Sequence, residues 1–389
     1  MQIADKALKS EFISTLERLG SGRITIRTPE GEKYRFGPGG DKEVDIDIHD
    51  WKAVSALAAH GQVGMGEAYV QGMWDTSSIE DLLVIANENR DTFQPYDKAK
   101  PFNRMKFRLV DTFLRANSRR GSAKNIRSHY DVGNEFYQLW LDEGMTYSSA
   151  LYRKGEDGEA NLALAQSRKN DRVLSQLNGT GRVLEVGCGW GGFAEHAANG
   201  GHDVTALTIS RAQHAYADSR LDGRADIRLC DYRDHNAQYD NIVSIEMIEA
   251  VGERYWPGYF ATLKRNLAEG GHALVQAITV RDDYFDTYRT HSDFIRQYVF
   301  PGGMLLSDTQ IEKQAKAAGL KVEDNFAFGD SYALTCRTWA DRLVRQKNRI
   351  HALGFSEAFF RNWQYYLEIC AAAFAVGQTN VVQVRLTHA

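Results

Sequence analysis

The residues best suited to chemistry lie at positions 183–192, which read Val-Leu-Glu-Val-Gly-Cys-Gly-Trp-Gly-Gly. An apolar, partly β-branched run ends in glycines and is followed by a helical pattern, the order of a nucleotide-binding βα unit. Glycines let backbone amides approach a ligand closely and permit turn angles that a Cβ would forbid. Because Gly187, Gly189 and Gly192 also satisfy G-x-G-x-x-G, the loop alone suits NAD or another adenosine cofactor.

Two side chains near this loop favour a cationic ligand. Glu185 stands two residues before the first glycine, where a carboxylate would repel a pyrophosphate but attract an ammonium group. A dinucleotide fold also places an acid on the ribose about 20 residues further on, whereas the next predicted strand ends in Thr208. S-adenosylmethionine (SAM) is positively charged and carries no phosphate, so it fits this loop better than NAD.

SAM would bring an electrophilic methyl group that needs no metal ion. A protein that uses it must hold the sulfonium, present a nucleophile in line and remove a proton afterwards. The cysteines lie far apart without C-x-x-C spacing, so the sequence indicates neither a disulfide framework nor a zinc site. The four cysteines are Cys188, Cys230, Cys336 and Cys370.

The strands and helices that must position these residues alternate in the second half of the chain. Helical patterns separate five short apolar runs, at residues 183–186, 204–207, 227–230, 242–245 and 273–277. This alternation predicts an α/β fold with a doubly wound, mostly parallel sheet and ligands at the carboxyl ends of the strands. We predict a final strand at residues 381–386 and helical lid insertions at residues 281–325 and 337–378.

The beginning of the chain predicts a small α+β domain. Period-two alternation at residues 23–27 and 33–36 flanks a turn and indicates a hairpin, and residues 44–48 suggest a third strand. The pattern then becomes helical, with Ser77 and Glu80 as a candidate capping box. This domain contains no catalytic cluster, so we expect a structural, docking or dimerising role.

Length and composition indicate a globular protein of about two domains. The chain has 389 residues, and a domain commonly has about 150. We divide it into the small domain (residues 1–90), a basic amphipathic linker (91–121) and a catalytic domain (122–389). The N-terminus lacks the apolar core of a signal peptide, and no apolar run approaches the ~18 residues that span a bilayer. We therefore expect a cytoplasmic protein.

Residues 98–127 combine positive charge with interleaved apolar side chains. Such a segment suits an interfacial helix on an anionic lipid surface. It also suits a solvated linker helix whose apolar side packs on the next domain. A nucleic-acid partner is disfavoured because the net charge is −4 and no nucleic-acid motif accompanies the segment. The basic residues are Lys98, Lys100, Arg104, Lys106, Arg108, Arg115, Arg119, Arg120, Lys124 and Arg127.

Several further motifs resemble those of the cyclopropane-fatty-acyl-phospholipid synthases. The matching segments are residues 129–137, 145–150, 207–213, 231–234, 244–252 and 294–303. They follow the family's order from about residue 122 to the end, which makes this resemblance far more specific than the glycine loop. It implies a Rossmann-like, SAM-dependent enzyme that acts on unsaturated acyl chains of membrane phospholipids, at the inner face of the membrane and as a homodimer.

The resemblance assigns cofactor contacts to the glycine loop, to the following strand ends and to a lid at residues 147–149, apart from the helical insertions. Tyr232 could instead be a core residue, but its position after an acidic strand end favours contact with the adenine. The expected cofactor-binding residues are Tyr147, Ser148, Glu185, Gly187, Gly189, Thr208, Gln213 and Tyr232.

The resemblance also implies the reaction. In the family, the double bond of the acyl chain attacks the methyl group, and the carbocation then loses a proton to a bound bicarbonate ion as the ring closes. A cysteine, a glutamate, a histidine and a tyrosine normally form the bicarbonate cradle. Glu249 and Tyr332 match the glutamate and the tyrosine, whereas Ser149 and Gln276 stand where the cysteine and the histidine are expected.

These two departures bear on the product. Ser149 can still hydrogen-bond an anion and Gln276 can donate through its amide, but neither supplies a titratable imidazole. We therefore expect a lipid C-methyltransferase whose product is a cyclopropane or a methyl-branched or exomethylene fatty acid. Glu249 could be a salt-bridged residue at a helix start, but its place just past a strand end favours catalysis. Its replacement by Gln should abolish turnover and preserve cofactor binding.

An apolar tunnel should enclose the acyl chain and protect the carbocation from water, and aromatic faces can stabilise the cation. Its expected residues are Phe136, Tyr137, Trp140, Tyr298 and Phe300.

Three other functions stay open on the sequence alone. A relative within the same family methylates amine nitrogens of small molecules, but the N-terminal domain and the basic segment favour lipid. An NAD-dependent oxidoreductase is disfavoured by Glu185 and Thr208. A lipid-binding protein without catalysis is disfavoured because the cofactor motifs are intact.

Overall fold

The computed structural model describes residues 2–94 and 132–389 of the chain. The basic segment at residues 98–127 and residues 129–131 of the first family motif therefore lie outside the described residues. Within the described ranges, no helix has the length and hydropathy that crossing a membrane requires.

The N-terminal part folds as a small α+β unit. Its elements are α1 (Gln2–Leu16), β1 (Gly22–Arg27), β2 (Lys33–Gly39), β3 (Glu43–Ile48), α2 (Lys52–His60), α3 (Gln62–Val70), β4 (Trp74–Asp75), α4 (Ile79–Glu88) and α5 (Arg90–Phe93). β1 pairs antiparallel with β2 and parallel with β3, so the predicted hairpin and third strand are confirmed. Ile24 and Ile26 are buried because one face of this sheet packs on the helices.

Helix α4 begins one residue later than the predicted capping box implies. Ser78, and not Ser77, is the N-cap, and its Oγ accepts a hydrogen bond from the backbone N–H of Asp81 at 3.0 Å. The carboxylate of Glu368, 289 positions further along the chain, accepts the backbone N–H of Ile79 at 2.7 Å. Because a helix N-terminus leaves amides unsatisfied and attracts negative charge, this distant acid fixes the start of α4.

The second part of the chain folds around a seven-stranded sheet. Its elements are α6 (Asn134–Gln138), α7 (Gly158–Ser175), β5 (Arg182–Val186), α8 (Gly192–Asn199), β6 (Asp203–Thr208), α9 (Arg211–Leu221), β7 (Asp226–Leu229), β8 (Tyr239–Ile245), α10 (Trp256–Asn266), β9 (Leu267–Val280), α11 (Asp282–Thr290), α12 (Asp308–Ala317), β10 (Leu320–Ala327), α13 (Gly329–Arg345), α14 (Lys347–Ala352), α15 (Glu357–Ala375) and β11 (Thr379–His388). The strand order is β10-β11-β9-β8-β5-β6-β7. The predicted doubly wound, mostly parallel sheet is confirmed, since all neighbours from β9 to β7 run parallel.

Strand β10 corrects one prediction. Residues 281–325 were expected to be a helical insertion, but β10 pairs antiparallel with β11 at the edge of the sheet. Its residues alternate between the covered and the open face, as in a half-buried edge strand. The charged residues Lys321 and Glu323 occupy exposed positions and obscured the strand in the sequence.

The two parts share one hydrophobic core. A continuous cluster of buried side chains runs from Ile24 and Ile85 in the small unit to Trp363 and Leu367 in α15. Because apolar burial stabilises by about 25 cal/mol per Å², this shared cluster holds the small unit firmly against the helices. The domain boundaries drawn from the sequence stay a prediction.

The strand order reverses between β5 and β8. β6 and β7 lie on one side of β5, whereas β8 and β9 lie on the other. Loops that leave adjacent parallel strands diverge at such a point and open a crevice at the carboxyl ends of the strands. The glycine loop follows β5 and a loop that begins with Glu246 follows β8, so both border this crevice.

Candidate active site

The glycine loop takes a backbone shape that requires glycine. Gly187 has φ 86°, and a Cβ there would lie 2.7 Å from Cγ of Met247. The backbone N–H groups of Gly187 and Cys188 both donate to the carbonyl oxygen of Leu207 at 3.0 Å. The loop is therefore bound to β6 on one side and leaves no room for a side chain on the other.

A cavity of about 720 Å³ opens above this loop. All eight residues predicted to bind the cofactor line its wall, from Tyr147 and Ser148 in the lid to Tyr232 after β7. The small unit contributes Val63 and Leu83 to the same wall. The structure thus brings the predicted cofactor residues together and makes the two parts of the chain share one cavity.

Glu185 and Lys169 are buried ionisable side chains, and both line this cavity. Burial raises the pKa of Glu185 to about 8, against the lowering effect of Lys169. Its Oε2 has no hydrogen-bond partner among the described residues. An ammonium ligand would supply the missing hydrogen bond and favour the ionised form of Glu185, so this site fits the amino-acid portion of SAM.

The Lys169 ammonium connects this region to the lid. Its Nζ donates to Oγ of Ser148 at 3.1 Å, while Gln166 donates its side-chain amide to the carbonyl oxygen of Ser148 at 2.8 Å. Burial lowers the pKa of Lys169 to about 8, although the carboxylates of Glu246, Asp142 and Glu185 oppose this change. Helix α7 therefore fixes the lid residue Ser148 through two buried side chains.

The opposite end of the cofactor region lies beyond β6 and β7. The hydroxyl of Thr208 donates to Oε1 of Gln213 at 3.1 Å and accepts the N–H of Ser210 at 3.1 Å. Burial raises the pKa of Tyr232 to about 12, and the Tyr232 ring contacts Tyr259 edge-on at 5.9 Å between centroids. Tyr232 lines the cavity as well as packing on the core, so the two interpretations of this residue are compatible.

Glu246 stands at the centre of the polar end of the cavity. Its Oε1 accepts the backbone N–H of Ser149 at 2.8 Å and the side-chain amide of Gln276 at 2.7 Å. Its Oε2 accepts the hydroxyl of Tyr332. Burial raises the pKa of Glu246, while the three donors and the ammonium of Lys169 lower it. Three donors converge on this carboxyl group and oppose the effect of burial on its pKa.

The backbone of Glu246 is strained. Its φ is 50°, in the left-handed region that non-glycine residues seldom occupy. Its N–H donates to the carbonyl oxygen of Gln276 at 2.8 Å, which ties the residue to β9 as well as to β8. Left-handed backbone costs an L-residue roughly 1–2 kcal/mol, and such strain concentrates at functional sites. The strained turn directs the Glu246 carboxylate into the cavity.

Glu249 lies in the same cavity with fewer donors. Its Oε1 accepts the backbone N–H of Ile278, and its Oε2 has no hydrogen-bond partner in the part of the chain that the structure describes. Burial, with the charge of Glu246 as the next cause, raises the pKa of Glu249 to about 8. Two neighbouring carboxyl groups in a dry site do not both ionise readily. Because Glu246 has three donors and Glu249 has one among the described residues, Glu246 is the more readily ionised of the two.

Three of the four predicted catalytic residues hydrogen-bond to Glu246, but not all through the expected atoms. Ser149 contributes its backbone N–H, because its hydroxyl donates to the carbonyl oxygen of Ala150 at 3.0 Å. Gln276 contributes its amide and Tyr332 its hydroxyl, whereas Glu249 does not contact this group of donors through a described hydrogen bond. Ser149 and Gln276 are fully buried behind Glu246 and are absent from the described cavity lining.

The predicted tunnel residues differ from the structure. Among the described residues that line the cavity, Phe300 is present, but Phe136, Tyr137 and Trp140 are not. These three pack instead in an aromatic cluster with Trp363, because large rings fill the core between α6 and α15. Tyr298 is 47% exposed and donates its hydroxyl to Glu67 of the small unit.

Other apolar side chains form the cavity wall beyond the polar end. They come from β9, from the segment after α11, from α15 and from the small unit. Representative residues are Ile278, Phe294, Phe300, Tyr366, Ile369 and Leu83. This wall can enclose an apolar chain and keep water from the polar end.

Sequence reasoning missed Glu246 and Lys169. Glu246 follows Ile245 at the end of β8, and an acid at the carboxyl end of a parallel strand is the signal that could have revealed it. The sequence gives little indication of Lys169, since a lysine in a helix is usually solvated. Its burial, with 1% exposure, is visible only in the structure.

Comparisons with known proteins identify the family of this chain. Residues 117–384 match the family model described as mycolic acid cyclopropane synthetase. The chain is 35% identical to tuberculostearic acid methyltransferase UfaA1 of Mycobacterium tuberculosis over 97% of this chain and 91% of that protein. It is 32% identical to cyclopropane-fatty-acyl-phospholipid synthase of Escherichia coli over 89% of this chain and 88% of that protein. The solved mycolic acid cyclopropane synthase CmaA1 complexed with SAH and CTAB has a TM-score of 0.63 and 28% identity, over 68% of this chain and 97% of that one.

Proposed function

Because the chain belongs to the mycolic acid cyclopropane synthetase family, as its motifs predict, we propose that it methylates a double bond in the acyl chain of a membrane phospholipid. The protein is a SAM-dependent lipid methyltransferase, which the two relatives and the SAH-bound structure support. The proposal goes further in two respects. Glu246 removes the proton that the reaction must lose, and the product is an exomethylene chain without a ring.

The position of the Glu246 carboxylate carries this proposal. Ser149, Gln276 and Tyr332 are three of the four positions at which the family resemblance placed a bicarbonate cradle. In this protein their donors converge on the side chain of Glu246. The chain therefore supplies its own anion at the place where the family holds an external one.

A bicarbonate ion does not fit beside this carboxylate. The N–H and O–H groups that would hold it already donate to Glu246. A second anion about 4 Å away would be repelled by about 4 kcal/mol at an effective dielectric constant near 20. We therefore assign proton removal to a side chain of the protein and not to bicarbonate.

The residues around the glycine loop hold the methyl donor. We assign the ammonium of SAM to Glu185, the approach of its backbone to Gly187 and Gly189, and its adenosine end to Thr208 and Tyr232. When bound, SAM supplies a methyl cation equivalent, which the alkene takes with its π electrons as the carbon–sulfur bond breaks and S-adenosylhomocysteine leaves. The apolar wall keeps water away from the carbocation that results on the acyl chain.

Glu246 completes the reaction by taking a proton. The alkene has gained a methyl group on one carbon and a positive charge on its neighbour. A hydride shift from the methylated carbon to that neighbour moves the charge to the methylated carbon. The new methyl group then loses a proton to the Glu246 carboxylate, and the freed electron pair forms a C=CH₂ double bond between that carbon and the chain. Atoms and charge balance without an oxidant or reductant.

Two observations support a product without a ring. Glu246 is fixed by three donors, whereas the base in a cyclopropane synthase is a separate ion. In addition, the name of the relative with 35% identity describes a methyltransferase and does not mention a cyclopropane. A saturated methyl branch would need a hydride donor as a further reactant, so we assign that reduction to a separate enzyme.

We assign Glu249 and Tyr332 supporting roles in the same site. The Tyr332 hydroxyl donates to the charged Glu246 and so keeps that carboxylate oriented. Glu249, in its protonated form, presents a neutral carboxyl group to the cavity, so Glu246 is the carboxylate that faces the carbocation. Sequence reasoning gave Glu249 the role of the essential acid residue, and the contacts favour Glu246 for the proton transfer.

We further propose that the protein works at the inner face of an anionic membrane, where its substrate lies. Residues 98–127 hold ten basic residues, with Asp111 as the acid among them. Such a segment is attracted to negative lipid headgroups by roughly 1 kcal/mol for each lysine or arginine near the surface. Homodimerisation stays a prediction from the family resemblance.

The proposed product is tested by proton NMR of the fatty acids formed from SAM and liposomes of a cis-monoenoic phospholipid. Mass cannot decide, since ring closure and exomethylene formation each add one CH₂. We expect vinylic =CH₂ signals, at an unchanged rate in bicarbonate-depleted buffer. Upfield ring protons would overturn the proposed product, and a requirement for bicarbonate would overturn the proposed base. No lipid product would direct attention to an amine substrate.

A further inference from the structure

A line of hydrogen bonds leads from Glu246 through the sheet to helix α7. Gln276 donates its Nε2 to Glu246 at 2.7 Å and accepts at Oε1 from Nε2 of Gln383 at 2.9 Å. Gln383 in turn accepts at Oε1 from Nη1 of Arg172 at 2.7 Å. Gln276 and Gln383 stand directly opposite each other on β9 and β11, which is why their amides meet.

The two ends of this line determine the orientation of the two amides between them. An arginine can only donate hydrogen bonds, and an ionised carboxylate can only accept them. Each glutamine can face either way, with oxygen and nitrogen exchanged. Because Arg172 donates at one end, Gln383 must turn its oxygen to Arg172 and its nitrogen to Gln276, and Gln276 must then turn its nitrogen to Glu246.

Burial makes the alternative orientations costly. Gln276 and Gln383 both have 0% exposure, so water cannot satisfy a misdirected amide. If either amide turned over, two oxygens or two N–H groups would face each other without partners. The amides therefore act as a unit whose direction is set from Arg172.

Arg172 is itself held in place from the other side. Its Nη2 donates to Oδ2 of Asp324 at 3.0 Å, and its guanidinium lies over the ring of Phe326 at 3.9 Å from the centroid. The side chain of Arg172 is 17% exposed and that of Asp324 is 38% exposed. The line thus ends at the edge of the sheet, on β10, where a fixed ion pair anchors it.

We infer that Arg172 and Gln383 are positioning residues for the base, and that they act by fixing the amide of Gln276 with its N–H toward Glu246. This inference rests on the proposed role of Glu246. Neither residue lines the cavity among the described lining residues, so neither touches the substrate. They favour the ionised form of Glu246 at a distance, through the direction of one amide.

The consequence is a specific pH effect. The Gln276 hydrogen bond lowers the pKa of Glu246, so its loss should raise that pKa. Because only the carboxylate form takes a proton from the substrate, the acid limb of the rate profile should then move to higher pH. Other groups that face Glu246 are the Tyr332 hydroxyl, the Lys169 ammonium, the Glu249 carboxyl and the Cys336 thiol, and they are the same in all the variants compared.

The decisive variant is Gln383→Glu, which keeps the shape and reverses the polarity. Its carboxylate can accept from Arg172 but cannot donate to Gln276. We expect the acid limb of kcat to move up by about one pH unit and kcat near the acid limb to fall about tenfold. The KM for SAM should stay within about twofold, since the cofactor residues are untouched.

A second pair of variants tests the inference even if Gln383→Glu does not fold. Arg172→Met removes the donor that orients the Gln383 amide, whereas Arg172→Lys keeps a donor at this position. We expect the acid limb to move in Arg172→Met and to return toward the wild-type position in Arg172→Lys. Arg385→Met is the matched control, because Arg385 lies two residues along β11 and pairs with Gln176 outside the line. It should leave the acid limb in place.

Two results would overturn different statements. If Glu246→Gln forms deprotonated lipid product at the wild-type rate, the proposed base is wrong. If Glu246→Gln is inactive but Gln383→Glu and Arg172→Met keep the wild-type acid limb, the role of Arg172 and Gln383 is wrong while Glu246 keeps its own. An equal shift in Arg385→Met would assign the effect to general loosening of the sheet and would also overturn the inference.

Discussion

At the scale of single residues, two carboxyl groups in one cavity differ in their hydrogen-bond donors. Among the described residues, Glu246 receives three hydrogen bonds, whereas Glu249 receives one from the backbone of Ile278. Each bond to a charged group is worth about 1.5–3 kcal/mol. This difference favours ionisation of Glu246 over that of Glu249 and supports the proposal that Glu246 is the base.

We expect Glu246→Gln to lower formation of the deprotonated product by roughly 10²–10⁴-fold, the usual contribution of a general base. The amide can accept hydrogen bonds but cannot take the proton. Methyl transfer should be less affected, so S-adenosylhomocysteine would still form and water would convert part of the carbocation to a methylated alcohol. Product analysis beside S-adenosylhomocysteine release measures both. Glu249→Gln, in the same cavity, should lose far less turnover; equal losses in the two variants would contradict the assignment.

The state of Glu249 has a consequence for stability. Burial raises its pKa in the folded protein from 4.5 to about 8. A raised pKa means that the folded state binds a proton that the unfolded state releases between these values, so this stability is present below pH 4.5 and is lost as pH rises toward 8. Glu249→Gln removes the titration. We expect its Tm advantage over the wild type, without SAM, to grow between pH 5 and pH 8.

The control for this pH effect is Glu253→Gln, an exposed acid on the following turn, paired with Arg289. It should show no growing advantage over the same pH range. A constant difference between wild type and Glu249→Gln at all pH values would mean that Glu249 ionises normally in the folded protein.

At the scale of elements, helix α15 is the support on which the small unit rests. Arg361 of α15 donates to the carbonyl oxygens of Tyr69 and Trp74 at 2.6 and 2.8 Å and pairs with Asp75 at 2.7 Å. Its side chain is 11% exposed. One buried guanidinium therefore satisfies the end of α3 and the short strand β4 together.

We expect Arg361→Ala to lower the free energy of unfolding by about 2–4 kcal/mol, because it removes one donor from each of two carbonyl oxygens and from the Asp75 carboxylate. Urea unfolding measures the change. Arg289→Ala is the matched control, since its pair with Glu253 is half exposed on both sides and exposed pairs are worth about 0–1 kcal/mol. If the two variants lose equal stability, the buried anchor does not hold the small unit.

At the scale of the whole molecule, the two parts of the chain enclose one cavity. Val63 and Leu83 of the small unit line it together with Ile278 and Phe300 of the second part. The polar end lies at the crevice of the large sheet, and the apolar wall extends toward the small unit. This arrangement suits a substrate with one reactive bond inside a long apolar chain.

We expect membrane binding to depend on the basic segment outside the described residues. Replacing Arg104, Lys106, Arg108 and Arg115 by Gln should weaken binding to anionic vesicles strongly, at roughly 1 kcal/mol for each charge near the surface. Vesicle co-sedimentation measures this, and salt should weaken the wild type in the same way. Replacing four basic residues of the folded surface, Arg182, Arg228, Lys313 and Lys316, is the control. Equal losses in both variants would contradict a specific role for the segment.

The sequence determined the fold class and the cofactor because both depend on local order. Alternating apolar runs and helical patterns predicted the parallel sheet, and Glu185 with Gly187 and Gly189 indicated a cationic adenosine ligand at its edge. Only the tertiary structure pointed to Glu246 as the proposed base, since its donors come from Ser149, from β9 and from α13. Burial and long-range hydrogen bonds depend on which distant segments meet, and no spacing in the sequence reports that. For the same reason Phe136, Tyr137 and Trp140 could be identified as aromatic but not as core.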